Sequence, residues 1–274
     1  MNYLNPSIKD LKQLAKDNKK KYQNAKPFPS ITFDNFFDED FLNKVLDEFP
    51  DLSKAKNVVN FNNPNEKKLA AKGESLFGEA SKLLGHYLNS EPVLEFLQEL
   101  TGIEETLVSD PYFLGGGYHE IKPGGLLKVH ADFNKHVTTN LDRRINLLVY
   151  LNKDWEESYG GHFELFDKDV TKSELKILPV FNRIAIFSTT DFSYHGHPDP
   201  LTCPPDRSRK SFALYYYSNG RPQSELSLED HTTIFVAREG VEQDTVKMKS
   251  TTAKKFVQEI TPPILFKAAK RIFK

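Results

Sequence analysis

Apolar positions recur with helical spacing in the first third of the chain and with strand-like spacing after it. Within the Lys-rich stretch 6–26, Ile8, Leu11, Leu14 and Ala15 predict a surface helix that frays into Lys19-Lys20-Lys21. Phe28-Pro29-Ser30-Ile31-Thr32-Phe33 predicts a strand. Asp38-Glu39-Asp40 then opens a helix with Phe41, Val45, Leu46 and Phe49 on one face, its acids at the end the macrodipole favours. Residues 52–67 are Asn-rich, contain Pro64 and read as a loop. Helices follow at about 67–88 and 91–100, the second opened by Ser90-Glu91-Pro92 and closed by Gly102.

From Val108 the period shortens. Strand-like runs stand near 118–122, 126–132, 144–151, 162–166, 174–180, 183–188 and 209–217, separated by Gly, Pro, Asn and Asp clusters. So many short strands predict a sandwich or jelly roll. Beyond Ser218-Asn219-Gly220-Arg221-Pro222 come a short strand at about 232–237, Pro262-Pro263, and a basic amphipathic helix over 264–273. The expected class is α+β, mainly β. A helical region (1–107) packs on one sheet of a core (108–220), and an extension (221–274) ends in that helix.

Composition narrows the function classes. The chain has 274 residues, 27% of them charged, and a formal net charge of −1, so the basic excess of a general nucleic-acid binder is missing. Cys203 is the single cysteine, which rules out an intrachain disulfide and a Cys-based metal site. The N-terminus lacks the basic-then-apolar pattern of a secretory signal, and no apolar run nears the ~20 residues that span a bilayer. A cytoplasmic protein is expected. The stripe Leu265, Ala268, Ala269, Ile272 and Phe273, with four cations among it, suits docking on the core or peripheral contact with an acidic membrane surface or partner.

Candidate chemistry gathers around Lys128-Val129-His130-Ala131-Asp132. On a strand, residues i and i+2 point to one face, so His130 and Asp132 project an imidazole and a carboxylate into the same space. That pair is two thirds of the 2-His-1-carboxylate triad that binds non-haem Fe(II) with open positions. A second histidine is available from Ser193-Tyr194-His195-Gly196-His197-Pro198, after the apolar strand Arg183–Phe187. Asp132→Ala is then expected to remove the metal and spare the fold. His119, His136 and His162 read as ordinary surface or core histidines, with supporting roles behind the ligands left open to them. On the run Arg209-Lys210-Ser211-Phe212-Ala213, Arg209, Ser211 and Ala213 share a face. A strand-borne arginine suits a carboxylate, because its planar fork donates parallel hydrogen bonds. Tyr150, on the strand 145–151, has a hydroxyl for the same carboxylate.

From about Tyr118 to Tyr217 the chain resembles the Fe(II)- and 2-oxoglutarate-dependent oxygenases of the prolyl 4-hydroxylase type. The pieces that carry the resemblance are His130-Ala131-Asp132, Tyr150-Leu151-Asn152-Lys153-Asp154-Trp155 followed by Gly160-Gly161, His195-Gly196-His197-Pro198, and Arg209-Lys210-Ser211. The resemblance implies a double-stranded β-helix core and His130, Asp132 and His195 as iron ligands. His195 is preferred to His197 because members place a proline three residues after the ligand, as Pro198 stands here. It further implies that Arg209, with Tyr150 and Ser211 in the same pocket, holds the distal carboxylate of 2-oxoglutarate. O2 is the oxidant, ascorbate is a cofactor the family allows, and the products are a hydroxylated peptidyl residue, amino acid or other small molecule, with succinate and CO2. Some relatives carry a tyrosine about ten residues before the first ligand, and here Glu120 stands near that place. Two rivals remain at this level: a catalytically silent jelly-roll module binding a glycan or peptide, and a metal site without 2-oxoglutarate.

Overall fold

The computed structural model describes residues 3–226 and 230–244. Four helices lie in the first third: α1 (Leu11–Gln23), α2 (Glu39–Asp47), α3 (Glu79–Leu88) and α4 (Glu91–Thr101). Their ends follow local chemistry. Asp10 Oδ1 accepts from the backbone N–H groups of Lys12 and Gln13, and Asp38 Oδ1 from that of Phe41, which satisfies orphan donors of the first turns. Helix α4 stops at Gly102, which takes the left-handed conformation with φ of 73°.

Among the described residues twelve strands form one curled antiparallel sheet: β1 (Ser30–Asp34), β2 (Val58–Asn63), β3 (Glu66–Ala71), β4 (Gly117–Ile121), β5 (Leu126–Ala131), β6 (Asp142–Tyr150), β7 (Phe163–Phe166), β8 (Ser173–Ile177), β9 (Arg183–Ser188), β10 (His195–His197), β11 (Arg209–Ser218) and β12 (Ile234–Phe235). Its order is β1-β9-β6-β11-β4-β3-β5-β10-β7-β8, with β2 on β3 and β12 on β5. The fold is thus mainly β with few helices, jelly-roll-like in its curl. Strand β3 bridges the two halves, pairing with β4 at Leu69 and Ala70 and with β5 at Glu66 and Lys67.

Strand alternation divides the side chains between two faces. Ile145, Leu147 and Val149 of β6, Ile184 and Ile186 of β9, and Phe212, Leu214 and Tyr216 of β11 join Leu42, Leu84, Phe96 and Leu97 of the helices in one core. The opposite residues, Leu148 and Tyr150 of β6 and Ala185 and Phe187 of β9, meet Phe163 and Leu165 of β7 in a second apolar cluster. That second face, enclosed by the curl, is the one on which chemistry collects.

The loop expected over 52–67 and the helix expected from about 67 are corrected. A hairpin of β2 and β3 occupies 58–71, and α3 begins at Glu79. Glu66-Lys67-Lys68-Leu69-Ala70-Ala71 is rich in helix formers, but pairing with three neighbouring strands overrides that preference. Asn63 closes the turn, its Oδ1 accepting from the backbone N–H groups of Asn65 and Glu66. The short strand expected at about 232–237 is β12. The helix expected over 264–273 lies outside the described residues. Among the described residues no helix is long and apolar enough to cross a membrane.

Candidate metal centre

Strands β5 and β10 build one wall of the enclosed space. His195 pairs with His130 and His197 with Leu127, so three steps along β5 face two along β10. This bulge needs close backbone approach at Gly196, where a Cβ would lie 2.7 Å from the Leu127 carbonyl oxygen and 2.9 Å from that of Lys128. Val129, inside the bulge, packs outward with Phe166 and Val170.

Along this wall His130, Asp132 and His195 converge, with one ligand atom from each lying within 4.8 Å of the others. Asp132 Oδ1 is 3.6 Å from His130 Nε2, and its Oδ2 is 3.4 Å from His195 Nε2. The same local device orients both imidazoles. Nδ1 of His130 bonds the Lys128 carbonyl at 2.8 Å, and Nδ1 of His195 bonds the Ser193 carbonyl at 2.8 Å. A carbonyl only accepts, so each Nδ1 carries a proton and each ring turns its Nε2, the nitrogen a metal would take, toward the centre. Such a donor set, two imidazoles and a carboxylate without thiolates, fits Fe(II).

Asp132 is held in turn. Asn146 Nδ2 donates to its Oδ2 at 2.7 Å, and Arg143 Nη2 lies 3.1 Å from the same oxygen. Arg143 is fixed between the rings of Phe133 (4.3 Å) and Tyr215 (3.5 Å) and donates from Nε to Asn146 Oδ1 at 2.9 Å. Burial alone would raise the Asp132 pKa, but neighbouring positive charge, that of Arg143 first, outweighs it and holds the carboxyl well below the usual range. Burial, then the neighbouring His195, lowers the pKa of His130 and favours its neutral, ligating form.

Neither Arg143 nor Asn146 was singled out from the sequence. Asn146 had a readable signal, since it shares strand phase with Tyr150. Arg143 had none, because a register shift between Tyr216 and Tyr217 resets the phase of β6 beyond Ile145.

The opposite wall carries the residues expected to meet a carboxylate. Ser211 pairs with His119 on one side and Tyr150 on the other, and Arg209 pairs with Ile121, so these residues share the enclosed face. Arg209 is 5% exposed. Its Nε donates to the Gly161 carbonyl at 2.8 Å, and its Nη2 lies 3.5 Å from the Tyr150 hydroxyl. Gly161 has φ of +70°, and a Cβ there would approach Arg209 Cδ to 3.0 Å, so a side chain would disturb the arm it supports. Among the described residues Arg209 makes no ion pair with a carboxylate. A buried cation without a counter-anion is costly, so the electrostatics of this end suit an anion.

Glu120 and His197 both stand apart from the metal cluster. Glu120 pairs with Lys210 and Leu69 on the far side of β4, and its Oε1 accepts from Ser208 Oγ at 2.8 Å. The β4 residues on the enclosed face are His119 and Ile121. His197 is not part of the metal cluster. It is buried with both ring nitrogens free of hydrogen-bond partners. Burial, then the positive charges of Arg209 and Lys68, lowers its pKa far enough to keep it neutral. His136 and His162 stand away from the cluster: His136 Nδ1 accepts from the backbone N–H groups of Thr138 and Thr139, and His162 Nε2 pairs with Glu157 Oε2 at 2.6 Å.

Comparison with known proteins agrees with this geometry. Residues 116–217 match the family described as the 2OG-Fe(II) oxygenase superfamily. The crystal structure of a Pseudomonas putida prolyl-4-hydroxylase superposes with a TM-score of 0.55 at 16% identity, covering 77% of this chain and 100% of that one. A Trichoplax adhaerens prolyl hydroxylase, solved with a hypoxia inducible factor oxygen degradation domain peptide fragment, gives 0.54 at 18% identity over 76% of this chain and 90% of that one. An oxidoreductase of the 2OG-Fe(II) oxygenase family from Burkholderia pseudomallei gives 0.53 at 10%, over 76% and 94%. No curated protein sequence matches the chain. At these identities the structural likeness speaks for the fold. The class defined here is a jelly-roll-like protein with a His-Asp-His metal site. The match of residues 116–217 to the 2OG-Fe(II) oxygenase family, together with the His130, Asp132 and His195 cluster, supports a 2-oxoglutarate-dependent iron dioxygenase.

Proposed function

We propose that this protein is an Fe(II)- and 2-oxoglutarate-dependent dioxygenase that hydroxylates an unactivated C–H bond of a peptidyl residue, an amino acid or another small molecule. The observation that carries the proposal is the pairing of two ends in one enclosed space. One end is the His130, Asp132 and His195 cluster; the other is the buried Arg209 without an anionic partner among the described residues. When bound, Fe(II) supplies O2 activation coupled to decarboxylation of 2-oxoglutarate to succinate and CO2, with ascorbate as a reductant that keeps the metal ferrous.

The chain's own groups do the rest. His130 and His195 offer Nε2 and Asp132 an oxygen, leaving positions on the metal open for the cosubstrate. Arg209 takes the distal carboxylate through its free guanidinium edge, the Tyr150 hydroxyl adds a neutral donor, and Ser211 lines the same wall. Phe163, Leu165, Phe187 and Leu148 keep the space between the ends apolar and exclude water.

We further read the curled sheet as a double-stranded β-helix with its oxygenase core at 108–220, flanked by 1–107 and 221–274. Strands β1 and β3, from the first of these segments, complete its two halves. The buried, unpaired thiol of Cys203 supports a cytoplasmic setting. The test is release of labelled CO2 from 2-oxoglutarate with and without Fe(II). Fe(II)-dependent release that His195→Ala abolishes and His197→Ala only reduces supports the proposal. Metal binding without release favours metal chemistry that uses no 2-oxoglutarate, and neither binding nor release favours a silent binding module.

A further inference from the structure

His197 is buried at 3% exposure, yet neither of its ring nitrogens has a hydrogen-bond partner among the described residues. A neutral imidazole carries one donor and one acceptor, and buried polar atoms without partners are rare because water has been given up for nothing. An apolar residue at this place would pack without that penalty. The side chain therefore reads as one that meets a ligand.

Its place in the strands says which end of the ligand. In β10, His195 pairs with Leu165 and Gly196 with Glu164, so the strand runs from the metal ligand toward the start of β7. Just before that start lies Gly161, whose carbonyl holds Arg209 Nε. The extra residue of the bulge belongs to β5, so β10 keeps its own alternation, and His197 faces the same space as His195. Two residues of strand place it roughly 7 Å further along the wall. That is comparable with the reach of a five-carbon diacid chelated at its keto-acid end. Arg209 is the charge that acts most strongly on His197.

We propose that His197 donates a hydrogen bond to the far carboxylate of 2-oxoglutarate, so that this end of the pocket is a clamp of Arg209, Tyr150 and His197. The proposal rests on the cosubstrate reading above. It assigns His197 to cosubstrate binding and leaves the metal to His130, Asp132 and His195.

Two ligands separate this role from a structural one. 2-Oxoglutarate and 2-oxopentanoate share the keto-acid end, but the second lacks the far carboxylate. Both are titrated calorimetrically into Ni(II)-loaded wild type, His197→Leu and His197→Gln, with Ni(II) stoichiometry reporting an intact centre. His197→Leu is expected to weaken 2-oxoglutarate about 10-fold, as for one lost hydrogen bond to a charged group, and to leave 2-oxopentanoate within about twofold. His197→Gln keeps a donor and should retain most of the diacid affinity. Equal losses for both ligands, or no loss for either, overturn the assignment. Should the leucine variant not hold Ni(II), His197→Asn replaces it; its shortened donor should lose diacid affinity that His197→Gln keeps, and equal behaviour of the two again overturns the role. A wild type that does not prefer the diacid overturns the cosubstrate reading and this proposal with it. An unchanged His197→Leu in a diacid-selective protein overturns this proposal alone.

Discussion

The two walls of the enclosed space are built differently. On the metal wall every group is already held: both Nδ1 atoms bond carbonyls two residues back, and Asp132 is gripped by Asn146 and Arg143. On the carboxylate wall, Arg209 has a carbonyl at Nε and a distant hydroxyl at Nη2, and His197 has no partner among the described residues. The groups of one wall hold one another in place; those of the other keep hydrogen-bonding capacity that an anion could use. The difference suggests that metal affinity and cosubstrate affinity can be broken separately.

The largest effect should come from Asp132. The expectation of an unharmed fold in Asp132→Ala changes once Arg143 is seen. Removing the carboxylate leaves a buried guanidinium with neutral polar side chains around it, Asn146 and Tyr215, and no carboxylate at this site. Breaking such a pair typically costs about 3 kcal/mol. Asp132→Ala should therefore lose metal binding and also melt several degrees lower, whereas Asp132→Asn should lose the metal with less destabilisation. Metal stoichiometry and thermal melts of both variants check this, and equal melting points would mean Arg143 does not depend on Asp132.

Next in size is Arg209→Lys, which keeps the charge but not the planar fork. The loss of a charge-assisted bond, about 1.5–3 kcal/mol, should weaken 2-oxoglutarate on the order of 10- to 100-fold with a smaller effect on metal affinity. A titration of decarboxylation at saturating Fe(II) reads it, and an unchanged midpoint would mean the diacid is held elsewhere.

Asn146→Ala tests the reverse separation. Removing a partner of a metal-binding carboxylate typically costs about 10-fold or more in metal affinity. It should do so here while the 2-oxoglutarate midpoint at saturating metal stays put. Tyr150→Phe should be the mildest, a few-fold loss in 2-oxoglutarate affinity, since a neutral donor 3.5 Å from Arg209 is removed and the ring remains in its apolar cluster. A Tyr150→Phe loss as large as that of Arg209→Lys would make the hydroxyl a primary contact.

The same contrast explains what the sequence disclosed. The metal wall is local: His130 and Asp132 share a face by strand alternation alone, and the helices that back the sheet follow from apolar periodicity and capping. His195 and Arg209 needed the order of the motifs along the chain, because the pairings that bring them near His130 and Tyr150 are long-range. Arg143 was hidden by a bulge, which shifts side-chain phase without any mark in the composition. The β2–β3 hairpin was hidden by helix-forming residues whose strand state depends on partners distant in the chain. That His119 and not Glu120 faces the enclosed space depends on strand phase, since a shift of one residue exchanges the faces.

Whether one molecule spans both walls is decided by linkage. If 2-oxoglutarate binds the metal at one end and Arg209 at the other, metal and diacid must tighten each other by the same factor. Calorimetric titration of 2-oxoglutarate into metal-free and Ni(II)-loaded protein measures that factor. The account predicts at least about 10-fold tighter binding in the loaded protein, with Arg209→Lys weakening the diacid in the loaded form. Equal affinity for 2-oxoglutarate with and without the metal would contradict it.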